Sequence, residues 1–243
     1  MELLSIGNSF SEDAQRYLHE ISLLSGEPIS CTDLVIGGCS LERHAKNAEN
    51  DLKEEMLEVN GEFTGFFVTV DEALRAKKWD AVTLQQASHF SPFPETYDPF
   101  LKILLIHVRK YAPSAKIYLH ETWAYEENYA RTTEELHLSG QKEMEEKLLA
   151  AYENAAKREG LLLVPSGKTF AFLREKTRTR LYRDGFHAAF GIGRYALACC
   201  MFNALTGKPV SEKLPTLDEP VSPSDAQAAR EAAQKAVEFY KNF

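Results

Sequence analysis

A serine close to the start of the chain, Ser9, and an Asp-x-x-His block about 175 residues later, Asp184 to His187, supply a hydroxyl, an imidazole and a carboxylate. Acyl transfer requires these groups: a nucleophile, a base that takes its proton, an acid that orients the base, and N–H donors for the oxyanion that develops. Taken singly, each residue has a simpler explanation. Ser9 can be a helix cap or turn residue, Asp184 can cap a helix alone, and His187 can be a satisfied histidine at a helix start. The combination is what points to chemistry, together with four clusters of small and polar residues, each following a short apolar run. These are Gly7-Asn8-Ser9, Gly37-Gly38-Cys39-Ser40, Gln85-Gln86-Ala87-Ser88-His89, and Glu121-Thr122-Trp123 with Tyr125.

The apolar runs that precede these clusters read as strands: Glu2 to Ile6, Ile29 to Ile36, Ala81 to Leu84, Lys116 to His120, with a further one at Leu161 to Val164. Stretches of helical period alternate with them at Ser11 to Leu24, Leu41 to Leu57, Asp98 to Tyr111, Gly140 to Arg158, Lys168 to Glu175 and Ala188 to Leu205. On the first of these, Ala14, Leu18, Ile21 and Leu24 form an apolar stripe. Phe63 to Val70 reads as a strand or edge hairpin, followed by a short helix at Asp71 to Lys77 capped by Asp71. Alternation of this kind predicts an α/β fold, a three-layer α/β/α sandwich around a central, mostly parallel five-stranded sheet. Ligands of such sheets bind beyond the carboxyl ends of the strands, where the polar clusters fall. Residues 1–206 read as the sheet domain. Residues 207–243 read as a proline-containing strap and a terminal helix, with Ser224 as N-cap, packed on the same domain.

Composition narrows the functions. The 243 residues carry 28 Lys and Arg against 36 Asp and Glu, a net charge of −8, the wrong sign for a surface that tracks phosphates. No run of about 18 apolar residues is present, and only two residues precede the first apolar signal, Leu3 to Ile6, so neither a membrane span nor a secretory segment is expected. The expectation is a soluble, cytoplasmic protein without nucleic-acid or membrane partners, its oligomeric state open. Cys31, Cys39, Cys199 and Cys200 lack Cys-x-x-Cys spacing and read as buried free thiols. His89, His120 and Glu121 match no metal-ligand spacing, so no metal site is expected there. His19, His44, His107 and His137 read as surface or packing residues, and Glu143 to Lys147 as a solvated helix face.

The order of these blocks resembles the SGNH or GDSL hydrolases. Their first block, normally Gly-Asp-Ser, stands here as Gly7-Asn8-Ser9, as in a bacterial subgroup with Asn at this position. The second, a glycine shortly before Ser or Thr, matches Gly38-Cys39-Ser40, and the last is unaltered in Asp184 to His187. The third departs: Gln85-Gln86-Ala87-Ser88 replaces Gly-x-Asn-Asp, similar to carbohydrate-esterase branches with Gln at the head of the block. The resemblance, over residues 1 to about 206, implies a flavodoxin-like sandwich, no cofactor, and hydrolysis of an ester or thioester. In this reading Ser9 attacks the carbonyl, His187 moves the proton and Asp184 holds the imidazole. The Ser9 and Gly38 N–H groups and a side-chain amide, Gln85 or alternatively Gln86, hold the oxyanion. Asn8, His89, Trp123 and Tyr125 are expected to contact the small-molecule substrate, an ester with a short acyl group, acetyl first, on a carbohydrate alcohol. Two rivals remain: a binding protein that keeps the fold and has lost hydrolysis through its altered third block, and an acyltransferase.

Overall fold

The computed structural model describes residues 1–241. It opens with β1 (Glu2–Gly7), then α1 (Ser9–Gln15), α2 (Leu18–Leu24), β2 (Ser30–Val35), α3 (Leu41–Glu49), β3 (Glu55–Val59) and β4 (Glu62–Val68). After α4 (Val70–Ala76) come β5 (Ala81–Leu84), α5 (Phe100–Tyr111), β6 (Lys116–His120), α6 (Ala130–Glu134) and α7 (Gln141–Glu159). The chain closes with β7 (Leu162–Val164), α8 (Ser166–Arg174), α9 (Ile192–Thr206) and α10 (Pro223–Phe239). One sheet of seven strands runs in the order β4-β3-β2-β1-β5-β6-β7. The five strands expected from the sequence form its parallel part, with Leu3 opposite both Cys31 and Ala81. Helices α1, α2, α8 and α9 pack together on one side, with α10 lying outside on α8 and α9, while α3, α4 and α5 pack together on the other side. Along α9 nearly every side chain is buried, because it is covered by the sheet on one side and α10 on the other.

The sheet exceeds the expected five strands because the helix expected over Leu41 to Leu57 ends at Glu49. Asn50 turns its amide back onto the Lys46 carbonyl, Asp51 takes φ +49°, and the chain leaves as β3, antiparallel to β2. Glu55, fully buried, accepts from Asn47 Nδ2 at 3.1 Å and lies 3.0 Å from His44 Nδ1, which fixes the start of the strand. His44 Nε2 also faces an acceptor, the Gly7 carbonyl at 2.9 Å, so the ring is a doubly donating imidazolium against the Glu55 carboxylate. Its pKa is raised: burial opposes the charge, and the Glu55 carboxylate and the Cys39 side chain together outweigh it. Asn60 and Gly61, both at positive φ, make the two-residue turn into β4, whose twist suits a hairpin.

Other boundaries shift for local reasons. The stretch expected as one helix from Ser11 to Leu24 starts at Ser9 and breaks at Tyr17, and Leu24 is exposed. At the break Arg16 swings out to Asp218 and Glu62, and Tyr17 sends its hydroxyl to the Phe190 carbonyl. Thr69, not Asp71, caps α4, in a reciprocal capping box with Glu72. Ser222, not Ser224, caps α10, with Pro223 in the first turn, where its missing N–H costs nothing. The segment between α9 and α10 is strapped down by Asp218, which takes Arg16 and Arg194, and by Ser25 and Glu20. All four cysteines are free and buried. Among the described residues no helix is long and apolar enough to cross a membrane.

Candidate active site

The chain lays β1 to β4 toward one edge of the sheet and then returns to place β5 on the other side of β1. A crevice opens at such a reversal, between loops that leave in opposite directions. Asn8 is extended (φ −147°, ψ −161°) and its Oδ1 accepts from Phe10 N at 3.0 Å, which starts α1 with Ser9 as its first residue. The same oxygen accepts from Gln85 Nε2 at 2.8 Å, and Asn8 Nδ2 donates to the Cys39 carbonyl at 2.9 Å. One side chain therefore ties together the loops after β1, β2 and β5. Asn8 borders the cleft, but it is buried and both ends of its amide are spent on neighbouring loops.

The block from Asp184 to His187 reaches Ser9 from the far end of the sequence. Asp13, fully buried on α1, anchors its flanks: it accepts from Arg183 Nη1 with both oxygens at 2.8 Å, from Arg194 Nε at 2.8 Å and from Ala188 N at 3.0 Å. Gly185 sits at φ +97°, and a Cβ there would meet the Tyr129 ring at 2.4 Å, so only glycine fits between Asp184 and the aromatic wall. Asp184 Oδ1 accepts from the backbone of Phe186 and His187, leaving Oδ2 to accept from His187 Nδ1 at 2.6 Å. Partial burial pushes the Asp184 carboxyl up, but the hydrogen bonds from the His187 ring and the two backbone N–H groups outweigh it and hold it below the usual range. A carboxylate can only accept, so the proton is on Nδ1 and Nε2 is free to accept from Ser9 Oγ, 2.9 Å away. The three residues expected from the sequence are thus brought into one continuous relay.

The two glutamines are not where the oxyanion was expected. Gln85 spends its amide on Asn8. Gln86 accepts from Leu41 N and Ala87 N and donates to the Thr96 carbonyl and hydroxyl. Both are buried, with polar ends turned to neighbouring loops, and neither borders the cleft. Among the described residues the backbone N–H groups of Ser9 and Gly38 donate to no protein group, and Gly38 holds the left-handed conformation, φ +64°, with open space where a side chain would stand.

Trp123 and Tyr125 are also displaced from their expected role as a substrate wall. Both are fully buried: Trp123 stacks on Phe10 with ring centres 4.1 Å apart and donates to the Phe186 carbonyl, and Tyr125 bonds the Ser88 hydroxyl at 2.9 Å. They form the floor under the cleft. The cleft itself, about 330 Å³, is bounded by Ser9, Gly38, Ser88, His89, Phe186 and Arg131 among others. His89 is half-buried, and burial together with the Arg131 charge lowers its pKa. Ser88, Phe186 and Arg131 were not expected from the sequence. Ser88 and Phe186 lie inside blocks already singled out, whereas Arg131 stands in an unmarked stretch after β6 and gave no signal. His120 and Glu121 are buried, and His120 bonds Ser166 away from the cleft. A larger groove of about 720 Å³ between the strap and α10 contains none of these residues.

Several known structures share this architecture. A DUF4886 family protein from Bacteroides uniformis is 32% identical, aligned over 100% of this chain and 96% of its own, with a TM-score of 0.89. A protein assigned to the SGNH hydrolases from Slackia heliotrinireducens is 19% identical over 97% of this chain and 98% of its own, TM-score 0.58. An acetylxylan esterase from Geobacillus stearothermophilus, solved as a catalytic mutant, is 16% identical over 84% and 94%, TM-score 0.55. No curated protein matches the chain. Residues 2–236 match the model of DUF4886, a domain of unknown function. With that match, and with a relative one-third identical along its whole length, the chain belongs to the DUF4886 family, on the α/β fold of the SGNH and GDSL hydrolases.

Proposed function

We propose that this protein is a serine ester hydrolase that removes a short acyl group, acetyl in the first place, from a hydroxyl of a carbohydrate. The reading is carried by the Ser9 Oγ to His187 Nε2 contact of 2.9 Å, continued by His187 Nδ1 to Asp184 at 2.6 Å. Ser9 Oγ attacks the ester carbonyl while its proton passes to His187 Nε2, and the imidazolium formed is stabilised by Asp184. The oxyanion lies against the Ser9 and Gly38 N–H groups, the two backbone donors expected from the sequence, without the glutamine amide expected beside them. Collapse of the intermediate expels the alcohol, which leaves with the proton from His187. Water then repeats the sequence on the acyl-serine and releases the acid. A cleft of about 330 Å³ suits a small acyl group and one sugar-sized alcohol. With Trp123 and Tyr125 buried, the aromatic surface left beside the imidazole is Phe186, whose ring centre lies 3.9 Å from that of His187.

The test is labelling of the intact protein with a fluorophosphonate, followed by peptide mapping, alongside turnover of p-nitrophenyl acetate, butyrate and octanoate and of acetylated sugars. The adduct is expected on Ser9, with acetate the fastest simple ester. Ser9→Ala should lower turnover by roughly 10³-fold or more with an unchanged circular dichroism spectrum. An unlabelled Ser9 would mark a binding protein, and a preference for octanoate would end the short-acyl reading.

A further inference from the structure

Beside the relay the cleft carries one permanently charged side chain that ester hydrolysis does not use. Arg131, at the start of α6, comes from the long connection between β6 and α7, which folds back over the strand ends. Its Nε is held by Glu135 at 2.6 Å, while its Nη groups donate to no protein group among the described residues. The guanidinium carbon sits 5.8 Å from the Phe186 ring centre and 5.9 Å from that of Tyr125. Phe186 in turn lies against His187, so two ring contacts connect the guanidinium to the catalytic imidazole.

The charges around it make this a distinctive place on an acidic protein. Among the described residues no carboxylate borders the cleft: Asp184 lies behind the His187 ring, Glu135 is the more exposed partner on the outer side of Arg131, and Glu126 is paired with Arg180. The position also has a direction. The carbonyl oxygen of a bound ester belongs at the Ser9 and Gly38 N–H groups, and the leaving alcohol belongs at His187 Nε2, which returns its proton. Arg131 stands on the imidazole side, next to the alcohol portion. A partly exposed guanidinium with its Nη edge unspent is suited to a carboxylate.

We propose that Arg131 selects substrates whose alcohol portion carries a carboxylate, such as an acylated sugar acid. The proposal rests on the ester-hydrolase reading and adds the charge class of the substrate. Matched probes test it: 4-acetoxybenzoate against its methyl ester places the charge on the alcohol side, and phenyl hemisuccinate against phenyl acetate places it on the acyl side. The protein is expected to favour 4-acetoxybenzoate by about tenfold in kcat/KM, chiefly through KM, as one charge-assisted contact in a partly open site can give. The preference should shrink in high salt. Arg131→Gln should bring the ratio near unity, and Arg131→Glu should invert it. The intrinsic reactivity of the two esters cancels when ratios are compared across the series, and a merely structural role would slow both esters alike. Equal ratios in the parent and both variants, or a preference that appears only on the acyl side, would overturn the proposal. Failure of the parent to hydrolyse any of the four esters would overturn the hydrolase reading beneath it.

Discussion

Replacing Asp13 by Asn isolates the contact that holds the His187 loop against the helix carrying Ser9. Asp13 is fully buried and receives Arg183 on both oxygens, Arg194 Nε on one, and the backbone N–H of Ala188, the residue after His187. Asparagine keeps the shape and one acceptor but turns an NH₂ group toward guanidinium donors and removes the carboxylate that both of them contact. Breaking a buried pair of this kind costs about 3 to 5 kcal/mol, because the opposite charge is left without compensation. The lower figure applies here. Arg194 keeps Asp218 at 3.0 Å, and Arg183, 22% exposed at its side chain, keeps the Ala188 carbonyl. In a chain of this size a loss of about 3 kcal/mol corresponds to a fall in Tm of roughly 6 to 12 °C. Thermal unfolding followed by circular dichroism reads the loss. Asp218→Asn is the comparison, since that carboxylate is 31% exposed and should cost less than half as much. Turnover should fall as well, because Ala188 fixes the loop that aims His187 at Ser9. A Tm loss for Asp13→Asn below about 2 °C, or one no larger than for Asp218→Asn, would refute the reasoning.

Asp184→Asn should lower kcat by about 10³- to 10⁴-fold with little change in Tm: the amide cannot favour the Nδ1–H tautomer, yet its oxygen still caps the Phe186 and His187 N–H groups, and near-parent turnover would remove Asp184 from the relay. Gln85→Ala should act mainly on stability, by about 1 kcal/mol, since it removes one of the two donors to the buried Asn8 oxygen and leaves the Phe10 N–H in place; a rate loss of about 10²-fold at unchanged Tm would return the oxyanion role to the glutamine. Asp33 is buried, and burial raises its pKa well above the usual value of 3.8 against the opposing pull of the nearby Ser11 hydroxyl. Its folded form therefore binds the proton more tightly than the unfolded chain, and its contribution to stability is lost as pH rises from 3.8 through the folded value. Asp33→Asn, which does not titrate, should gain Tm over the parent by an amount that grows from acid to neutral pH, and a pH-independent difference would contradict this.

Much of the fold was legible in the sequence because its signals are local. The five parallel strands are short apolar runs closed by small or polar residues, and Ser9, Asp184 and His187 stand in turns that side chains of the same blocks help to make: Asn8 caps the helix of Ser9, and Asp184 caps the loop of His187. The antiparallel hairpin β3–β4 was legible in part. Asn60-Gly61 is a strong hairpin signal, but the apparent helical period of Leu41 to Leu57 hid the strand that leads into it. Glu55 belongs to that strand because His44 and Asn47, on the preceding helix, take its carboxylate into the core.

What only the tertiary structure decided is where polar and aromatic side chains spend their contacts. Gln85 has the same amide whether it faces an oxyanion or Asn8, and the choice depends on a loop 77 residues away. Trp123 follows a strand end, as a substrate wall would, but Phe10 and Phe170 close over it from elements distant in the chain. Arg131 is one basic residue among 28 until the connection after β6 folds over the cleft and sets it beside Phe186. Residue type and spacing fix what a side chain can do and roughly which strand end it occupies. Its partner is set by packing between segments far apart in sequence, where each buried donor and acceptor must be satisfied by whatever the fold brings within about 3 Å.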